Sequence, residues 1–175
     1  EDILQLMEDM YIRIVEDISD KKLMTKPFPR LTCYEAIQRF GNDSPDLRFG
    51  MELADLSDIF TNTEFGVFKS VLTSGGNIKG ICAPGCGGYS RKQQDELIDF
   101  VRNYGAKGLV TLAIGETAND IKSQVLKYLT NEQIQQMTQR LRAKAGDLIL
   151  IVADQPVIVA EALGNLRIEM ANRLN

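Results

Sequence analysis

Apolar side chains at Ile3, Leu6, Met7, Met10, Tyr11, Ile14, Val15 and Ile18 recur three and four positions apart. That spacing predicts a helix over 3–18 that turns one face to a core. Pro27 and Pro29 interrupt the pattern. A second helix is predicted from Thr32 with Glu35, a capping-box pair, and Gly41 is its stop. Strands are predicted over 66–73 and 77–83, joined by Ser74-Gly75-Gly76 as a hairpin turn. Ser90 with Gln93 opens a helix carrying Leu97, Ile98, Val101 and Tyr104, which Gly105 ends. Leu109–Ile114 reads as a strand, and Thr130 with Gln133 opens a helix bearing Ile134, Met137 and Leu141 that Gly146 closes. Leu148–Val152 is apolar without alternation, as a strand buried on both faces would be. Pro156 suits the first turn of a last helix that runs to about Arg173.

This order predicts an α+β fold: a small, mainly antiparallel sheet packed with helices. We place that sheet in an insertion over 64–143, between flanks at 1–63 and 144–175 that must meet in space. Charge divides along the same boundaries. Residues 64–143 hold ten Lys/Arg against seven Asp/Glu, while the flanks hold ten against seventeen, within a total of −4. The positive excess of the insertion suits weak contact with RNA phosphates, although no aromatic–basic array accompanies it along the chain.

Composition narrows the chemistry. There is no histidine, so Ser-His and Cys-His nucleophilic catalysis and His-based zinc sites are excluded within the chain. Three cysteines, Cys33, Cys82 and Cys86, cannot all pair, and they suit a reducing compartment. Cys82-Ala-Pro-Gly-Cys86 has a spacing that could chelate, but free thiols on a loop and in a core are the better reading, and no metal site is predicted. The glycines between Gly75 and Gly88 lack the Lys-Ser/Thr of a P-loop and the third glycine of a dinucleotide fingerprint, so they read as turn chemistry. No apolar run approaches the roughly 20 residues of a transmembrane helix, and no signal segment opens the chain. A cytoplasmic protein with no membrane partner is the expectation.

The densest stretch is Leu31-Thr-Cys-Tyr-Glu-Ala36 followed by Arg39 and then Gly41-Asn-Asp-Ser-Pro-Asp-Leu-Arg-Phe-Gly-Met-Glu-Leu53. It resembles a phrase in the catalytic domain of bacterial-type aspartyl-tRNA synthetases that stands just before a large insertion. Ser44 and Asn42 depart from the usual Lys and Ser of that phrase. Residues from Phe65 to about Ala143 then resemble that insertion, the GAD domain, through Val67–Val71, Gly80–Gly85, Ser90–Gln93 and Tyr104–Leu109. Gly146–Asp154 and Ala162–Arg167 resemble the return to the catalytic domain.

The resemblance implies a class II enzyme that joins aspartate to tRNA through an adenylate, using ATP and Mg2+, as a cytoplasmic homodimer. The two arginine-bearing ATP motifs of such enzymes are not in this chain. Leu163–Arg167 has too few glycines, and Arg13–Glu16 has one residue too many. By family order the motifs lie before Glu1 and after Asn175, so the chain reads as an architectural piece without catalytic or cofactor-binding residues of its own. A GAD-containing subunit of a tRNA-dependent amidotransferase and a free-standing α/β binding module are the alternatives. The Gly41–Leu53 phrase favours the ligase.

Asp43, Pro45 and Asp46 are expected to form a rigid turn after Gly41, because Pro45 fixes its own φ and pushes Ser44 toward extended geometry. In that reading Asp43 or Asp46 caps local amides and Arg48 ties the turn to the core. In the competing one Arg48 meets the tRNA acceptor end. Arg48, Lys79, Arg91 and Lys92 are the candidate nucleic-acid contacts.

Overall fold

The computed structural model describes residues 2–116 and 120–174. They form two units, residues 1–32 and 33–175. In the first, helix α1 (Asp2–Ile18) forms as its periodicity predicts. The expected burial of its stripe does not follow: Ile3 and Ile18 are 77% and 78% exposed, and the helix buries Glu8 instead. A unit of this size has no second apolar layer to lay over a helix. Glu8 accepts hydrogen bonds from the Phe28 amide and from Arg30 Nη2, the latter at 2.7 Å.

The second unit comprises α2 (Cys33–Phe40), β1 (Ala54–Asp55), α3 (Gly66–Thr73), β2 (Asn77–Ala83), α4 (Arg91–Arg102), β3 (Val110–Ile114), β4 (Ile121–Lys122), α5 (Asn131–Arg140), β5 (Leu148–Asp154) and α6 (Pro156–Leu174). The five strands make one sheet in the order β1-β2-β5-β3-β4, with every neighbouring pair antiparallel. The strand predicted at 148–152 is the middle one, so the sheet is not confined to 64–143 as expected: β1 and β5 come from the flanks. The middle strand pairs Gly80 with Ile151 on one side and Leu112 with Ile149 on the other. Its continuous apolar run follows from this position, because helices cover both faces. Leu148, Leu150 and Val152 join Leu97 and Val101 of α4 and Val159, Leu163, Leu166 and Met170 of α6. Ile149 and Ile151 join Phe68 of α3, Met137 of α5, and Phe60 from a 3₁₀ turn at Ser57–Phe60.

Three sequence expectations fail here. Residues 66–73 are a helix, not a strand. Val67, Phe68, Val71 and Leu72 also fit one helical face, an ambiguity that short apolar runs carry, and Phe68 and Val71 are the pair that is buried. Ser74-Gly75-Gly76 is accordingly a helix exit rather than a hairpin turn. The Gly75 amide bonds Leu72 O and the Gly76 amide bonds Val71 O, with Gly75 at φ +78°. Helix α5 ends at Arg140, before Gly146, whose amide bonds the Ile114 and Gly115 carbonyls. Leu141 prolongs the apolar pattern because it is buried just past the helix end. Both capping boxes of this region, Ser90 with Gln93 and Thr130 with Gln133, are formed.

Helices α2 and α6 cross with their backbones in near contact. A Cβ on Gly164, in the middle of α6, would lie 2.9 Å from Gly41 O, and one on Gly41 would lie 2.3 Å from Ala160 O. A glycine in a helix interior costs about 1 kcal/mol relative to alanine. The close approach explains why Gly164 is tolerated.

Candidate functional site

In the Gly41–Leu53 segment two side chains accept backbone amides two residues on, those of Asn42 and Asp46. Asn42 Oδ1 accepts the Ser44 amide at 2.9 Å, and Asp46 Oδ1 accepts the Arg48 amide at 2.9 Å. Pro45 is half-buried and Asp43 is exposed. The Arg48 guanidinium folds back onto Asp46, with Nε at 2.9 and 3.0 Å from its two oxygens. Hydrogen bonds from the Arg48 side chain, then from its amide, hold the Asp46 carboxyl down at about 2. Arg48 itself is 82% exposed and reaches nothing in the core.

The tie to the core comes from the other side. Arg167 of α6, 1% exposed, donates from Nη2 to the carbonyls of Asp46 at 2.7 Å and Phe49 at 2.8 Å, and from Nε to that of Gly50 at 3.0 Å. Its guanidinium lies 4.2 Å from the Phe49 ring centroid and 4.9 Å from that of Phe40. Burial pulls its pKa below the usual value for arginine, against the raising effect of Asp46 and Glu52. A planar cation with five donors suits three converging carbonyls flanked by aromatic faces. Sequence reasoning missed this residue, although Leu163, Leu166 and Met170 place it within the apolar face of α6.

The other candidates separate. Arg91 and Lys92 stand exposed in the first turn of α4. Lys79 does not belong with them. It is 4% exposed, and its ammonium donates to the Gln38 backbone carbonyl at 3.2 Å and to the Gln38 side-chain oxygen. Burial lowers its pKa. Strand alternation puts residue 79 on the same inward face as Ile81 and Ala83, so its charge is not presented to a phosphate.

A cleft of about 770 Å³ opens beside the turn, bounded by Phe49–Ala54, the exit of α5 and the end of α6. Four cations line it, Arg39, Arg140, Arg142 and Lys144, against the carboxylates of Glu52 and Asp147. Arg39 forks onto Glu52 with two bonds of 2.9 Å, which draws the Glu52 carboxyl below its usual range. Arg140 is paired with Asp58. Asp147 faces inward: Oδ1 accepts the Gly85 amide at 2.9 Å, and Oδ2 accepts the Lys144 amide at 2.8 Å and the Cys82 thiol at 3.5 Å. Burial, with Asp147 adjacent, pushes the Cys82 thiol up to about 12, so it stays protonated. Cys33 is exposed, Cys86 is buried, and all three cysteines are free. Among the described residues no group of three His, Cys, Asp or Glu side chains is placed to hold a metal ion. No helix among them is long and apolar enough to cross a membrane.

The family model of the GAD domain matches residues 68–163. Over 174 residues the chain is 52% identical to an aspartate–tRNA(Asp/Asn) ligase of Symbiobacterium thermophilum, covering 99% of the chain and 29% of that protein. A protein of the same name from Caldanaerobacter subterraneus subsp. tengcongensis is 48% identical over all of the chain and 29% of its own length. Another, from Dehalococcoides mccartyi, is 45% identical, with the chain spanning 31% of it. The chain thus spans about three-tenths of the length of the curated relatives it matches, and those relatives are ligases. With a five-stranded antiparallel sheet covered by helices on both faces and a family model matching more than half of its length, the chain belongs to the GAD domain family.

Proposed function

We propose that this chain is the insertion region, with its catalytic-domain flanks, of an aspartate–tRNA(Asp/Asn) ligase, and that its own role is architectural. The observation that carries the reading is the match along the chain's whole length, flanks included, to proteins named as such ligases. In this reading aspartate is joined to tRNA through an adenylate by a class II catalytic domain. ATP and Mg2+ are held by parts of the ligase other than these residues, in a cytoplasmic homodimer. Arg167 supports an architectural role, because it fastens the segment before the sheet to the helix after it through three carbonyls. Arg48, Arg91 and Lys92, all exposed, are the proposed tRNA contacts.

Aspartate-dependent pyrophosphate exchange tests the proposal. It is expected in the longer protein containing this chain and absent from the chain alone. Turnover by the chain above a no-protein control, or none by the longer protein, overturns it.

A further inference from the structure

Four helices of the second unit leave through a residue with left-handed backbone: Gly41 after α2, Gly75 after α3, Gly105 after α4 and Arg142 after α5. The last three share one hydrogen-bond pattern. At α3, Gly75 N bonds Leu72 O and Gly76 N bonds Val71 O. At α4, Gly105 N bonds Arg102 O and Ala106 N bonds Val101 O. At α5, Arg142 N bonds Gln139 O and Ala143 N bonds Thr138 O. This exit favours glycine because only glycine adopts positive φ without a Cβ penalty. At three exits the chain uses it. At the fourth it places an arginine, at φ +53°.

That arginine lines the cleft, and so does the other non-glycine residue at positive φ among those described, Met51 at +61°. Non-glycine residues held in this region gather at ligand clamps, where the side chain rather than the backbone is what is retained. The charges of the cleft agree. Arg39 and Arg140 are neutralised by Glu52 and Asp58, and Asp147 spends its oxygens on inward donors. Arg142 and Lys144 are exposed and in no ion pair among the described residues; Arg142 helps to lower the Glu52 carboxyl, yet the four cations outnumber Glu52, Asp58 and Asp147 and leave the cleft a net positive charge. Phe49, Met51, Leu53 and Leu174 supply apolar wall beside them. A volume of about 770 Å³ falls within the roughly 300–1,000 Å³ of small-molecule sites.

We propose that this cleft binds the phosphate of a nucleotide, with Arg142 and Lys144 holding the anion and the apolar wall receiving the base or sugar. That the nucleotide belongs to tRNA rests on the function proposed above. A free mononucleotide offers the same chemistry.

The test uses the chain with tRNA and with AMP, by fluorescence anisotropy and calorimetry across a salt series, on the parent, Arg142→Gly, Lys144→Ala and the double variant. Arg142→Gly is expected to melt at or above the parent temperature, since it restores the residue the exit favours, and yet to bind at least several-fold more weakly. The double variant should bind tRNA about tenfold more weakly at low salt and lower the slope of log affinity against log salt by about 2, roughly one per lost phosphate contact. Arg142→Lys should retain most of the affinity. If AMP follows the same losses the site takes any nucleotide phosphate; if only tRNA does, the phosphate is that of RNA. Unchanged tRNA and AMP binding in the double variant overturns the inference and leaves the ligase reading standing. A parent chain that binds neither ligand also overturns it, while pyrophosphate exchange by the longer protein decides the ligase reading separately.

Discussion

Replacing Arg167 by methionine removes a buried charge of similar bulk and leaves the carbonyls of Asp46, Phe49 and Gly50 without their donors. A hydrogen bond from a charged donor contributes about 1.5–3 kcal/mol to stability. The lower end applies, because Asp46 and Phe49 are only half-buried and Gly50 is exposed, so water can take up part of the demand. Two guanidinium–ring contacts are lost as well, while the methionine regains some apolar burial and avoids the guanidinium's desolvation. Three such bonds at the lower end sum to about 4.5 kcal/mol, and with these gains and losses the net expectation is about 3–5 kcal/mol. At about 2–4 °C per kcal/mol for a chain of this length, melting should fall by about 6–20 °C. Circular dichroism on heating measures the shift, and native-state amide exchange locates it: amides of residues 46–53 should exchange faster while those of β2 and β5 keep their protection. Arg48→Ala is the contrast, with no resolvable change in melting temperature, since its guanidinium meets only Asp46 at the surface. An Arg167→Met variant that melts within about 2 °C of the parent, or an Arg48→Ala variant that is the more damaged, would refute this role for Arg167.

Gly164→Ala should destabilise the fold by about 1–3 kcal/mol despite alanine's better helix propensity, because its Cβ would press on the Gly41 carbonyl at 2.9 Å; denaturant midpoints check this. One of the three thiols should react quickly with a disulfide reagent at pH 8 and all three after unfolding, since Cys33 is exposed while burial raises the Cys82 thiol to about 12 and that of Cys86 in the same direction. The Asp46 carboxyl, lowered from 3.8 to about 2 by Arg48, contributes stability that is fully present above pH 4 and is lost as pH falls through about 2. Limited acid proteolysis should therefore find the 42–50 turn intact at pH 4 and open near pH 2, and opening at pH 4 would contradict the pairing.

The sequence was legible where local chemistry and tertiary context agree. The capping boxes at Ser90 and Thr130, the first-turn Pro156, the exits at Gly41 and Gly105 and the doubly buried strand at 148–152 follow from rules that need no knowledge of neighbours. The misses share a cause. Residues 66–73 suit a helix or a strand until Phe68 and Val71 find a sheet to bury against, and the stripe of α1 shows a face without saying whether anything covers it. The candidate contacts rest on charge and on the resemblance, and neither reveals direction. Lys79 and Arg48 are similar on paper, yet strand alternation buries one and a two-residue turn leaves the other in water. Arg142 could not be singled out, because its importance lies in a backbone angle that only comparison with the other helix exits makes unusual.

Arg167 also bears on how a sheet is held between the segments that flank it. Its contact with Asp46 joins positions 121 residues apart, with the whole antiparallel sheet lying between them. Closing a loop costs free energy that grows only as the logarithm of its length, about 0.6 kcal/mol for each doubling. A long intervening stretch is therefore little harder to close than a short one, provided that its two ends are fastened. Here the fastening is concentrated: backbone contact between Gly41 and Gly164 sets the helix crossing, and one guanidinium gathers three carbonyls of the segment that leads into the sheet. The order of magnitude favours this arrangement, since a fastening of about 3–5 kcal/mol exceeds the closure penalty of several doublings in length. Changes within the strands and loops between these ends should leave the fastening in place. A change at Arg167 releases the segment however well the sheet itself is built.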